Sequence, residues 1–112
     1  MKNTKIIAID FDGTLTTENT WPEIGEPNET VLALARYYRA KGYELILWTC
    51  RDGVRLDEAV EWCRNREVTF DAVNDNLDRV KEEYGMNARK VYADVYIDDK
   101  SVNPDMIALL EI

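Results

Sequence analysis

The sequence predicts a three-layer α/β fold: a short parallel sheet with helices on both faces. Three observations predict it. Four short apolar runs alternate with amphipathic helical stretches, each run ends in polar residues, and no repeat, low-complexity tract or Pro/Gly/Ser-rich linker interrupts the alternation. A helix between successive strands returns the chain to the same edge, so the strands run parallel. The 112 residues fit a single domain over 1–112.

The first strand covers about Lys5–Phe11, an apolar β-type run. The loop that follows, residues 13–27, is punctuated by Trp21-Pro22 and Gly25 and reads as a flap. Asn28 suits an N-cap, and the helix behind it carries Val31, Leu32, Leu34, Ala35 and Tyr38 on or near its inner face before Gly42 stops it. Tyr43–Trp48 is the second strand, broken only by Glu44. It runs through Thr49-Cys50-Arg51-Asp52-Gly53 into a helix bearing Leu56, Ala59, Val60 and Cys63. Phe70–Val73 is the third strand, followed by Asn74-Asp75-Asn76 and a short charged helix over about Leu77–Tyr84 with Gly85 behind it. Val91–Ile97 forms the fourth strand and ends in Asp98-Asp99-Lys100; Pro104–Ile112 suits a last short helix. Trp48 and Trp62 read as core, and Tyr37-Tyr38 as packing for a helix or an oligomer face.

Charge narrows the function. With 22 Asp and Glu against 14 Lys and Arg, the net charge of −8 argues against nucleic-acid or anionic-membrane partners, which need a basic footprint. Cys50 and Cys63 have no metal-ligand spacing and the chain has no His, which argues against zinc. Two lone cysteines suit a reducing compartment. The start, Met-Lys-Asn-Thr-Lys, leads into an apolar run too short for a signal peptide or membrane span, so a cytoplasmic location is expected.

The stretch Ile6–Leu15 carries the chemistry. In a strand Asp10 and Asp12 share a face, and like charges that close need a cation or a proton between them. Gly13 can turn the chain sharply and Thr14 adds a hydroxyl. A single Asp-Gly is an ordinary polar turn. The string Asp-x-Asp-Gly-Thr-Leu matches by chance only about once in ten thousand such chains. The other strands end in Thr49, in Asn74 and in Asp98 and Asp99, and parallel sheets gather such ends into one crevice. Four acids there call for a hard cation, and oxygen-only donors favour Mg²⁺. A carboxylate beside such an ion can attack phosphorus to form an aspartyl-phosphate while its neighbour shuttles the proton. Thr49, just ahead of a helix start, suits a phosphoryl oxygen, and a Lys would balance the charge.

These residues resemble the haloacid dehalogenase-like (HAD) phosphohydrolases. Asp10-Phe11-Asp12-Gly13-Thr14-Leu15 is similar to their first motif, Leu45–Thr49 to their second, and Ile97-Asp98-Asp99 to their fourth, in order across nearly the whole chain. The resemblance implies a Rossmann-like, HAD-like fold and a Mg²⁺-dependent phosphomonoesterase. Asp10 would be the nucleophile, Asp12 the acid/base, Thr49 the phosphate ligand, and Asp10, Asp98, Asp99 and the Asp12 carbonyl the metal ligands. The third motif, a lysine, departs from the pattern: Lys90 is the preferred match, with Lys81 and Lys100 as competitors. Neither gap between motifs holds a cap domain, so the chain resembles the cap-less class. Such members use a second copy to cover the site or accept large substrates in an open one, which leaves a homo-oligomer open.

Gly13, Thr14, Cys50, Arg51, Asn74 and Trp21 are the candidate substrate contacts. Trp21 is either a lid residue or an anchor for the flap. Arg51 contacts phosphate or forms a surface ion pair with Asp52, Asp57 or Glu58. Asn74 and Asn76 bind substrate, orient the acids or make Asn turns. The substrate itself, a phosphorylated small molecule or a polymer-linked phosphate, stays unspecified. A phosphoacceptor module is the rival, since receiver domains use similar residues, but they place the acidic pair after strand one and the acceptor after strand three. A catalytically idle binding subunit is the other.

Overall fold

All four strands and the first three helices form. In the computed structural model, which describes residues 5–109, β1 (Ile6–Ile9), β2 (Glu44–Leu47), β3 (Ala72–Val73) and β4 (Val95–Ile97) alternate with α1 (Glu29–Ala40), α2 (Gly53–Arg64) and α3 (Asp78–Tyr84). The sheet is parallel throughout, in the order β3-β2-β1-β4, with Ile7 opposite both Leu45 and Val95. The first two crossovers step the same way along the sheet, and right-handedness puts α1 and α2 on one face. The third returns past β1, which sends α3 to the other face.

Packing follows that logic. Ile7, Ile9, Leu45 and Leu47 meet Leu32 and Ala35 of α1 and Ala59 and Cys63 of α2. Ile6, Ala8 and Ile46 face the opposite way, against Val80 of α3 with Leu77, Val91 and Ala93. Buried on both sides, Ile6–Ile9 is a continuous apolar run with no polar alternation. Asn28 caps α1 by accepting from the Val31 amide at 3.3 Å, and Gly85 closes α3 in the left-handed conformation. Tyr38 stacks on Tyr43 and Trp62 meets Phe11 edge-on. No helix among the described residues is long and apolar enough to cross a membrane.

Several elements are shorter than the sequence predicts. The fourth strand was expected over Val91–Ile97 and pairs only from Val95, because side chains bind the backbone of residues 91–93: Asn76 Oδ1 accepts from Tyr92 N at 2.7 Å, and the Tyr96 hydroxyl donates to the Val91 carbonyl at 2.6 Å. The third strand was expected from Phe70 and begins at Ala72, since the Asp71 carboxylate accepts from Leu45 N at 2.8 Å in place of a ladder bond. The last helix is a 3₁₀ turn over Pro104–Leu109; residues 110–112 of the expected helix lie outside the described residues.

Candidate functional site

The sheet reverses its strand order between β1 and β4, so their carboxyl ends border the crevice where parallel sheets hold ligands. The Asp10 amide donates to the Ile97 carbonyl at 2.9 Å, which fixes the two ends side by side. Asp10, Asp98 and Asp99 then offer carboxylate oxygens that all lie within 4.8 Å of one another. Among the described residues this is the one group of acids close enough to share a cation. Three oxygen donors, two of them on exposed residues, fit a hard divalent ion that keeps part of its water shell.

The turn after β1 is shaped around this cluster. The Phe11 carbonyl accepts from the amides of Thr14, Leu15 and Thr16, and Thr14 Oγ1 donates to Asp10 Oδ2 at 3.3 Å. Gly13 has φ +82°, and a Cβ there would lie 2.4 Å from Asp99 Oδ2 and 3.1 Å from its Cγ. Glycine is thus required twice, for the backbone and for the approach of Asp99. Gly42, at φ +89° with nothing within 4 Å of a Cβ, isolates the backbone effect. Gly13→Ala is therefore expected to cost about 1–3 kcal/mol in urea unfolding, clearly more than Gly42→Ala. Equal losses would mean that Asp99 moves aside freely.

Asp12 points elsewhere. Arg51 grips its carboxylate with a fork, Nε to Oδ2 at 2.8 Å and Nη2 to Oδ1 at 2.8 Å, and Arg51 is 1% exposed. The surface ion pair expected of Arg51 with Asp52, Asp57 or Glu58 gives way to this buried pair, and Arg55 makes the ion pair with Glu58. The Asp12 side chain is accordingly outside the acid cluster, leaving its carbonyl as the only metal contact considered for it.

Thr49 and Asn74 form one unit. Asn74, at φ +52°, accepts from Thr49 N at 2.8 Å and donates to the Arg51 carbonyl at 3.2 Å, while Thr49 Oγ1 accepts from Arg51 N at 3.2 Å. Asn74 thereby shapes the loop between β2 and α2, and Asn76 holds residues 87–92 through Asn87, Ala88 and Tyr92. Cys50 is exposed; Cys63 is buried, and burial pushes its thiol up to about 12, far from a nucleophile's range.

The three candidate lysines take different places. Lys90 lines a cavity that Asp98 also borders, with its Nζ 5.2 Å from the centre of the Tyr96 ring. Lys81 pairs with Asp75 at 2.9 Å and Asp78 at 3.4 Å. Lys100 is the cation at the cluster: its Nζ is 3.3 Å from Asp99 Oδ2, and its amide donates to Asp98 Oδ1 at 2.9 Å. Thr16 escaped the sequence reading altogether. Fully buried, its hydroxyl accepts from Gly13 N at 3.0 Å and donates to the Glu18 carbonyl at 2.9 Å. A hydroxyl residue three positions after a turn glycine was the available signal.

A solved structure of a conserved protein coded by a locus from Bacteroides thetaiotaomicron superposes on this chain with a TM-score of 0.78 at 39% identity, covering 96% of this chain and 87% of that one. The chain belongs to that protein's family. No protein-family model and no curated protein matches the sequence.

In this member of the Bacteroides protein's family, electrostatics set the acids apart. Burial, then the charges of Asp98 and Asp99, push the Asp10 carboxyl from 3.8 up to about 6, against an opposing hydrogen bond from the Phe11 backbone. Burial also acts upward on Asp99, yet hydrogen bonds from Lys100, Asp98 and Asp10 outweigh it and leave that carboxyl lowered. Hydrogen bonding to Asp99 raises Lys100 in turn.

Proposed function

We propose that the chain is a Mg²⁺-dependent phosphomonoesterase of the HAD type, cap-less, working through an aspartyl-phosphate on Asp10. One observation carries the reading: Asp10, the first acid of the Asp-x-Asp-Gly-Thr-Leu string, meets Asp98 and Asp99 across the β1–β4 switch point. Asp10, Asp98 and Asp99 would hold the ion. Bound there, Mg²⁺ would draw charge from the phosphoryl oxygens.

The chain's own residues do the rest. An Asp10 oxygen attacks phosphorus as the ester P–O bond breaks, and the leaving alcohol takes a proton from Asp12, whose carboxyl must turn from the Arg51 fork to deliver it. Water then attacks the aspartyl-phosphate, Asp12 takes its proton, and phosphate leaves with Asp10 restored. Thr49 would bind a phosphoryl oxygen, together with the first amides of α2, which the Asp52 side chain leaves uncapped. Lys100 supplies the balancing charge in place of Lys90.

A panel of phosphomonoesters tests this. Phosphate release is expected with Mg²⁺, silence with EDTA, and recovery on adding excess Mg²⁺; release indifferent to EDTA overturns the metal-dependent reading. The Arg51 fork favours one alternative, a phosphoacceptor. If Asp12 stays bound, the second step has no base, and a phosphorylated chain lasting minutes without turnover would establish it.

A further inference from the structure

A cavity of about 250 Å³ opens beside Asp12, lined by Asp12, Asn19, Trp21, Cys50 and Arg51. Its walls are balanced in charge, because the Arg51 fork matches the Asp12 carboxylate and the remainder is an amide, an indole and a thiol. The indole dominates. Arg51 lies against the ring, 5.1 Å from its centre, yet Trp21 keeps 54% of its surface exposed.

The flap holds this ring in place. Asn19 Oδ1 accepts from Trp21 N at 3.0 Å, Thr20 Oγ1 donates to the Glu23 carbonyl at 3.1 Å, and Arg51 Nη2 donates to that same carbonyl at 3.0 Å. Thr17 N to the Glu26 carbonyl, at 2.8 Å, closes the base of the loop. A fixed aromatic plane beside a small, charge-balanced cavity suits the flat face of a ring, since stacking needs area and no charge.

We propose that this cavity receives the alcohol part of the substrate, and that this part is an uncharged ring, sugar or aromatic, lying on Trp21. The inference rests on the phosphatase reading and adds the class of leaving group. Asp12 lines the cavity two residues after Asp10, so an ester whose phosphoryl group meets Asp10 lays its alcohol on this side. The volume is below the roughly 300–1,000 Å³ of drug-sized pockets, which suits one ring. The chain's charge of −8 also disfavours an anionic alcohol part.

Two readouts test it on the full chain with Mg²⁺ present. In ¹⁵N-labelled protein the Trp21 indole N–H resonance is expected to shift with phenyl phosphate or glucose 6-phosphate and to stay with glycerol 3-phosphate. The comparison of the first two separates an aromatic ring from a sugar. Kinetically, Trp21→Ala is expected to raise the ratio of KM for the ring ester to KM for glycerol 3-phosphate about tenfold, with rescue by Trp21→Phe. An indole that ignores both ring esters overturns the inference, whether or not the chain turns them over. So does a Trp21→Ala variant that weakens all three esters alike. A responsive indole in a chain that releases no phosphate from any ester keeps the ring site and removes the phosphatase.

Discussion

Asp10→Asn is expected to lower phosphate release by about a thousandfold or more, since the amide cannot form the acyl-phosphate. The same change is expected to stabilise the metal-free protein at pH 7. Burial and two neighbouring acids push Asp10 up to about 6, so the folded state holds this proton more tightly than the unfolded chain does. The stability this contributes is fully present below the unfolded value of 3.8 and is lost as pH rises through about 6. Above that the wild type carries three crowded charges. Urea unfolding in EDTA at a series of pH values should show wild-type stability falling between about pH 4 and 6 and the Asn variant flat across the same window. Added Mg²⁺ should reverse the order at pH 7, stabilising the wild type and leaving the variant nearly unmoved. A variant with full activity removes Asp10 as nucleophile, and parallel pH curves remove the crowding argument.

Arg51→Ala is expected to destabilise the protein by about 3–5 kcal/mol, because it strands the Asp12 carboxylate, whose side chain is 11% exposed, without its partner. The guanidinium also holds the Glu23 carbonyl and lies against Phe11 and Trp21, so its loss loosens the flap as well as the acid. A fall in Tm of more than about 10 °C follows for a domain of this size. Pairing the change with Asp12→Asn separates the effects: the double variant should recover part of the loss, since no uncompensated charge remains. Strict additivity of the two changes would show that the fork contributes little.

How far the site could be read from the sequence depended on how local its determinants are. Asp10, Gly13 and Thr14 lie in one short turn, so their spacing already announced the sharp bend; the crowding expected between Asp10 and Asp12 is instead between Asp10, Asp98 and Asp99, because Arg51 takes the Asp12 carboxylate. Thr49 and Asn74 were singled out separately as strand ends, but the clamp between them needed β2 and β3 to pair. The surface ion pair expected of Arg51 involved sequence neighbours, whereas its partner is 39 positions away. The lysine needed the same long-range information. Only the fold brings Lys100 within 3.3 Å of Asp99 and seats Lys90 on the cavity that Asp98 borders.

Hydrophobic runs, helix caps and the glycine turn depend on neighbours a few residues apart, so the sequence by itself determined the β-α alternation, the parallel sheet and the acids at its carboxyl edge. The tertiary structure alone decided which acids meet. Placing β4 beside β1 joins Asp98 and Asp99 to Asp10, and burying Arg51 under the flap turns Asp12 away from them. Local pattern fixes where a charge emerges from a strand. Which opposite charge it finds is set by crossover handedness and packing, and these act between residues far apart in the chain.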